Sequence, residues 1–374
     1  AGARRLPSIG TQARYTFVSE VLELDLDLPL PDAPPSIRFG DEHRYELSLG
    51  LQAPLYTGGR LSATARARSA GAMAAAHDVA ADSLRVVMQT RAAFYRALGA
   101  AAEAQAALVA VGRLQRRLID IEAEITAGTG VEEARLQVRA RLAEAEQREL
   151  AAVERLETAL LALGELVGRP GERIKPQGEL DRSLLQHGAL EALSPAQRPE
   201  LDALTARHRM SEAMARSARA AFYPSLNLGA RASYGRPGVD LIANDWMSWG
   251  TAEVSLHWTV WDWGARSDEA QQAQAAERAT AAQRSAAARR FREVWEAARV
   301  RLRSTQRQLD KAEERVALER ERMRLVSGRW RQGMASETEL LDAHDDLAAA
   351  EAAAAAMRAR LRLAEVELLF ASGR

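Results

Sequence analysis

The chain has no cysteine, which excludes disulfides and thiolate metal sites and fits an oxidising compartment where a stray thiol is a liability. It has no excess of either charge: Lys+Arg and Asp+Glu both number 51, and no basic stripe of the kind a nucleic-acid partner needs is present. No unbroken run of about 18 apolar residues occurs, so transmembrane helices are not expected; a β-barrel escapes that test because its strands alternate. Ala1 is followed by neither a charged n-region nor an apolar h-region, so any secretory leader has been removed or was never there. Proline is missing from two windows, 55–169 and 238–374, and all twelve prolines lie outside them. Both windows are rich in Ala, Leu, Arg and Glu, so long helices are predicted there.

What the chain does contain is a long internal repeat. Residues 59–169 lie over residues 264–374 at a constant offset of 205: Gly59 on Gly264, Gly128 on Gly333, Leu136 on Leu341, Leu142 on Leu347, Glu146 on Glu351. Upstream of each copy, Pro7-Ser8-Ile9 corresponds to Pro224-Ser225-Leu226. Units this long are not those of a solenoid. The second repeat has a helix-like stretch, Arg198 to Phe222, before its Pro224, whereas only Ala1 to Leu6 precede Pro7. A further N-terminal helix is therefore expected upstream of the first repeat.

Apolar residues keep a three-four spacing in both windows, as in Leu84, Met88, Ala92, Tyr95, Leu98 and later Val111, Leu114, Leu118, Ile121, Ile125. Such a stripe, with many alanines, reads as a coiled coil whose helices approach closely. Gly128 and Gly333 interrupt the two stripes at equivalent points and read as turns of helical hairpins. From Arg60 to Ala127 the helix would run about 100 Å, and from Thr129 back to Val167 only about 58 Å. Residues 168–197, with Pro170, Pro176 and Pro195, would form an irregular belt, and the helix 198–222 would complete the return.

Four segments alternate with period two: Ile9 to Phe17, Tyr45 to Leu55, Leu226 to Tyr234 and Ala252 to Val260. About ten residues with one apolar and one polar face suits a transmembrane β-strand, and equally a soluble two-faced sheet. Trp246, Trp249, Trp258, Trp261 and Trp263 crowd the ends of the last segment, as a membrane-interface girdle would. Four strands cannot close a barrel in lipid, so several chains must contribute.

These residues carry a resemblance to the TolC family of outer-membrane efflux and secretion channels, over essentially the whole chain. The matching motifs are Leu55-Tyr56-Thr57-Gly58-Gly59 and Val260-Trp261-Asp262-Trp263-Gly264 at strand ends, Arg198-Pro199-Glu200-Leu201, Tyr223-Pro224-Ser225-Leu226, and the turn Arg331-Gln332-Gly333 before Leu340-Leu341-Asp342-Ala343. The resemblance implies a mainly α protein with transmembrane β: long helical hairpins forming an α-barrel, and four strands per protomer contributing to a trimeric 12-stranded β-barrel. It divides the chain into a first strand pair (1–57), a first hairpin (58–167), the belt (168–197), a returning helix (198–222), a second strand pair (223–262) and a second hairpin (263–374).

The resemblance also implies a passive exit duct in the outer membrane of a Gram-negative bacterium, extending into the periplasm and serving an efflux or type I secretion system. Its partners would be outer-membrane lipid, a periplasmic adaptor and an inner-membrane transporter of the RND or ABC type, with no nucleic acid, cofactor or metal. By register from the turn glycine, Glu339 and Asp342 correspond to the family's constriction acids, with Trp330 at a latch position. Their i,i+3 spacing puts both carboxylates on one helix face, though acids at a helix start also suit its dipole. Ala335 and Ala134 replace the family's latch partners, which leaves Arg329, Arg331 and Glu133 as substitutes. Adaptor contact is expected at the tips Ala127-Gly128-Thr129 and Gln332-Gly333-Met334, and lipid-interface anchoring at Trp249, Trp258, Trp261 and Trp263.

Gly128-Thr129-Gly130 is no nucleotide loop, because no strand precedes it and no Lys-Ser/Thr follows. His344 beside Asp342 and Asp345 makes a poor metal site, since adjacent helical residues diverge. No catalytic constellation stands out, so an enzyme is not expected. The rival reading is a soluble or surface-attached coiled-coil interaction protein with a small sheet at one end.

Overall fold

The computed structural model describes residues 5–25, 36–185, 194, 195, 198–242 and 244–374. The elements run β1 (Ser8–Phe17), β2 (Leu22–Asp25), β3 (Ser36–Phe39), β4 (His43–Tyr56), α1 (Arg60–Thr126), α2 (Glu132–Leu166), α3 (Pro199–Arg219), β5 (Ser225–Arg236), β6 (Met247–His257), α4 (Ala265–Arg331) and α5 (Glu337–Ala371). The internal repeat is reproduced to the residue: α1 and α4 are each 67 residues long, α2 and α5 each 35. At 1.5 Å per residue these are arms of about 100 and about 50 Å.

Helix ends follow local chemistry. Gly128 adopts φ 79°, and the N–H groups of Thr129 and Gly130 both donate to Glu124 O at 2.9 Å, which closes α1. A Cβ on Gly130 would lie 2.6 Å from Ile125 N, so only glycine fits. This turn keeps residues 129–131 out of the return helix, which starts at Glu132 and not at Thr129 as the sequence suggests. In the second hairpin Gly333 has φ 73°, and Ser336 and Glu339 form a reciprocal capping box at the start of α5.

The chain divides into two compact units, residues 1–76 with 202–284 and residues 77–201 with 285–374. The first holds an antiparallel sheet in the order β1-β4-β5-β6 and a separate β2–β3 ladder from Leu22↔Phe39 to Asp25↔Ser36. That short ladder was not expected from the sequence; each strand has only four residues, too few for alternation to show. The last strand also differs from expectation, running 247–257 and not 252–260. Its partner β5 begins at Ser225, opposite His257, directly after Pro224, which has no N–H to donate; Trp258 and Val260 therefore have no ladder to join.

The second unit is held by alanine-rich helix packing. Val111, Leu114, Ile121, Val138, Ala145 and Leu341 form one buried cluster, and Ala298, Leu302, Leu361, Ala364 and Leu368 another. A Cβ on Gly99 would meet Ala359 Cβ at 2.6 Å, so α1 and α5 touch backbone to side chain. The alanines also make one stretch of α1 apolar enough by length and composition to cross a membrane, although no unbroken apolar run occurs in it; 28% of that stretch is buried.

After α2 the chain runs without helix or strand through residues 168–185; positions 186–193, 196 and 197 of the expected belt lie outside the described residues. Glu365 on α5 pins this segment, accepting hydrogen bonds from Ser183 Oγ (2.8 Å), Leu184 N (2.9 Å) and Arg362 Nη1 (2.8 Å). Arg198 is 2% exposed and sits between the rings of Phe291 (4.3 Å) and Phe370 (4.8 Å) while donating to Glu200.

Glu365→Ala would strand the buried Arg362 charge and release Leu184. We expect a loss of about 3 kcal/mol, seen as a lower thermal-unfolding midpoint and faster proteolysis within 168–185. An unchanged midpoint and unchanged cleavage would show that the pair does not hold the segment.

Candidate functional site

The sheet has two unlike faces. Pairing of Tyr15, Ala13, Thr11 and Ile9 with Tyr45, Leu47, Leu49 and Leu51, and of Leu47, Leu49, Leu51 and Ala53 with Tyr234, Ala232, Ala230 and Leu228, puts one apolar row after another on one side. Ala252, Val254 and Leu256 complete it on β6. The face is uncovered: Ile9 is 72% exposed and Leu256 66%. On the other side stand Gln12, Arg14, Glu46, Ser48, Arg231, Ser233, Thr251 and Glu253, with Ser233 Oγ donating to Glu46 Oε1 at 3.0 Å.

Aromatic rings mark both ends of the apolar face. At one end Tyr15 meets Tyr45 (5.2 Å between centroids), Tyr45 meets Trp246 (6.1 Å) and Trp246 stacks on Tyr234 (5.1 Å). At the other, Trp261 meets Trp263 edge-on at 5.7 Å, and Trp258 Nε1 donates to Phe222 O at 3.2 Å. From Tyr45 to Tyr56 is about 36 Å along the strand, or about 28 Å at a barrel tilt of about 40°, close to an apolar membrane thickness. The tyrosine ladder is not apparent in the sequence, where Tyr15, Tyr45 and Tyr234 are only apolar positions of separate segments. Trp249 departs from the expectation that grouped it with the interface rings. It pairs with Ser233 on the polar face, because strand alternation places it out of phase with Val254 and Leu256.

The hairpin tips lie in the second unit. Their turn residues Ala127, Gly128, Thr129, Gln332, Gly333 and Met334 are exposed. Glu339 accepts from Ser336 N at 3.0 Å and lies 3.9 Å from Arg329, whose Nη2 donates to Met334 O. Asp342 and Asp345 share Arg141, at 3.2 and 3.0 Å. Trp330 lies under the guanidinium of Arg117, 4.2 Å from its carbon to the ring centre. Arg117, only 7% exposed, also forks onto Glu337 (2.6 and 2.8 Å) and reaches Glu124 (3.0 Å). Burial alone would lower its pKa, but the hydrogen bonds it donates to Glu337 and Glu124 outweigh burial and raise it.

One residue thus ties α1 to the end of α4 and the start of α5. Sequence reasoning missed Arg117, since nothing in a helical run of charges marks one arginine as buried. Of Arg329, Arg331 and Glu133, Arg329 is the one that lies beside Glu339; Arg331 donates to Ser327 O and Glu133 accepts from Gln137. Among the described residues no group of His, Asp and Glu is placed to hold a metal.

His344 follows this cluster on α5. Burial first, and then the Arg113 charge, holds its imidazole below the usual 6.5, so the folded state keeps it neutral. The unfolded chain binds more protons, so this contribution is fully present above pH 6.5 and is lost as pH falls through the lowered folded value. Asp345 has the opposite sign: burial lifts its carboxyl above 3.8, and its penalty is relieved in more acidic solution. We therefore expect the thermal midpoint to decline just below pH 6.5 in the native protein and to decline less in His344→Leu. Equal slopes in the two proteins would contradict this.

A family model for the outer membrane efflux protein matches residues 1–169 and 192–374. Among solved structures, the chain superposes on the outer membrane protein VceC of Vibrio cholerae with a TM-score of 0.82 at 19% identity, covering 100% of this chain and 88% of that one. The MtrE outer membrane channel of Neisseria gonorrhoeae, in its open state, gives 0.82 at 19% identity over 99% and 81%. The CmeC outer membrane channel of Campylobacter jejuni gives 0.80 at 17% identity over 99% and 78%. No curated protein matches by sequence. At such identities the superpositions bear on the fold, while the family model reaches across both repeats: the chain belongs to the outer membrane efflux protein family.

Proposed function

We propose that three copies of this chain form a passive exit duct across the outer membrane of a Gram-negative bacterium, with the helices continuing as an α-barrel into the periplasm. The observation that carries this reading is the four-stranded sheet with one bare apolar face and two unpaired edges, β1 and β6. Neither edge is tolerable in hydrocarbon, so the sheet must be continued by other copies. Three times four strands gives a 12-stranded closed wall with the polar face inward. The helices support the same assembly: Leu136 and Leu150 on α2 and Val300, Leu318 and Leu325 on α4 stand exposed at helical spacing, apolar faces without a cover in one chain.

In this reading the strand pairs 1–57 and 223–262 build the barrel and the hairpins 58–167 and 263–374 the periplasmic conduit. Trp258, Trp261 and Trp263 sit at the lipid interface. The tips 127–129 and 332–334 dock a periplasmic adaptor, which couples the duct to an energised inner-membrane transporter of the RND or ABC type. Glu339 and Asp342 form acidic rings at the constriction, and the Arg117 clamp on Trp330 and Glu337 holds the second hairpin closed.

The test is the purified full chain in detergent and planar bilayers. A trimer with single-channel conductance is expected; a monodisperse, water-soluble monomer would reject the duct. Glu339→Gln combined with Asp342→Asn removes charge while Gln keeps the capping box. This pair should weaken cation selectivity and block by multivalent cations, and an unchanged reversal potential with unchanged block would reject the acidic rings. Arg117→Met should raise the conductance by freeing Trp330 and Glu337, and a conductance equal to the native one would remove Arg117 from the gate.

A further inference from the structure

A cleft of about 350 Å³, partly open to solvent, lies within the second unit, lined by α1, α2 and α5. Its floor is alanine: Ala106, Ala107 and Ala110 from α1, Ala152 from α2, Ala348 and Ala349 from α5. Helices lined with methyl groups leave flat apolar walls, and the volume is at the small end of the range that takes organic ligands. The rim is charged, with Arg113 and Glu103 on α1, Arg148 and Arg155 on α2, and His344 and Asp345 on α5.

The charges on the rim are unevenly spent. Glu103 faces Arg155 at 3.5 Å, Asp345 is held by Arg141 at 3.0 Å, and Arg148 pairs with Glu144. Arg113 gives one arm, Nη2, to Glu351 at 3.0 Å. Its other arm, Nη1, is buried with no partner, and so is Nδ1 of His344, which lines the same cavity. Two buried polar nitrogens without partners, one of them cationic, on the rim of an apolar hollow are costly to leave unsatisfied. An acceptor with negative charge satisfies the guanidinium, and with Glu103, Asp345 and Glu351 each already paired to an arginine it meets little opposition.

We propose that this cavity binds a small amphiphilic organic anion, its carboxylate or sulfonate on Arg113 Nη1 and His344 Nδ1 and its apolar body against the alanines. Such a ligand bridges α5 to the first hairpin. The inference stands on the second unit by itself and does not require that the chain conduct.

The test uses the detergent-purified full chain and naphthalene-2-sulfonate as probe, with saturation-transfer NMR and calorimetry. Saturable binding is expected, weakened about tenfold or more in Arg113→Met through loss of a charge-assisted hydrogen bond. Binding should also be abolished by filling the cavity from either side, with Ala107→Phe on α1 or Ala349→Phe on α5. Naphthalene-2-methanol, the neutral analogue, should bind no more weakly to Arg113→Met than to the native chain. Equal probe uptake by the native chain and all three variants would mean partition into the micelle and would overturn the proposal. Absence of saturable binding to the native chain, with only water satisfying Arg113, would overturn it as well. Channel conductance, measured on the same samples, reports separately on the duct.

Discussion

A β-strand in hydrocarbon has nowhere to place an unpaired N–H or C=O. That constraint governs this molecule, because its sheet carries a bare apolar surface on one face and, among the described residues, ends at β1 and β6 without a partner. The sheet cannot curl shut with four strands, and antiparallel β1 and β6 are both long enough for pairing along their length. In the proposed trimer, further copies would satisfy the edges, and the polar face with its arginines and glutamates would line the inside. Symmetry in the assembly would thus answer to the hydrogen-bond demand of the backbone.

The helical part solves a different problem. Helices of 67 residues whose buried clusters are small have little core, so contact has to be close. Alanine and glycine supply this, as where Gly99 admits the Ala359 methyl. Dispersion between many small side chains replaces the few large anchors of a globular core. Buried polar links add register: Glu365 fastens the segment after α2, Arg198 fixes the start of α3 between two phenylalanines, and Arg117 fastens the hairpin tip. Breaking one partner of such a link leaves a desolvated charge, so losing one partner costs more than the intact pair contributes.

Much of this was legible before the fold. Proline gaps predicted the helices, glycines their turns, period-two alternation the four long strands, and the offset of 205 the equal arms. What was not legible depended on partners. The β2–β3 ladder is too short to show a period, and β6 slipped toward the N-terminus because the ladder ends where β5 begins at Ser225. The tyrosine ladder exists only once register brings Tyr15, Tyr45 and Tyr234 alongside Trp246. Trp249 was misgrouped for the same reason, since crowding in sequence says nothing about which face a strand residue takes.

The sequence alone determined what is local: where helix can persist, where the backbone must turn, and which segments have two faces. These follow from φ preferences and from side-chain periodicity, which act over a few residues. Tertiary structure decided which of many similar charges became buried. Arg113 and Arg117 are two arginines in a helix full of them, and the approach of the second hairpin covers them, giving one to Trp330 and Glu337 and leaving the other, half-buried, with an open arm. Burial is a property of the neighbours a residue acquires, and no local pattern encodes it.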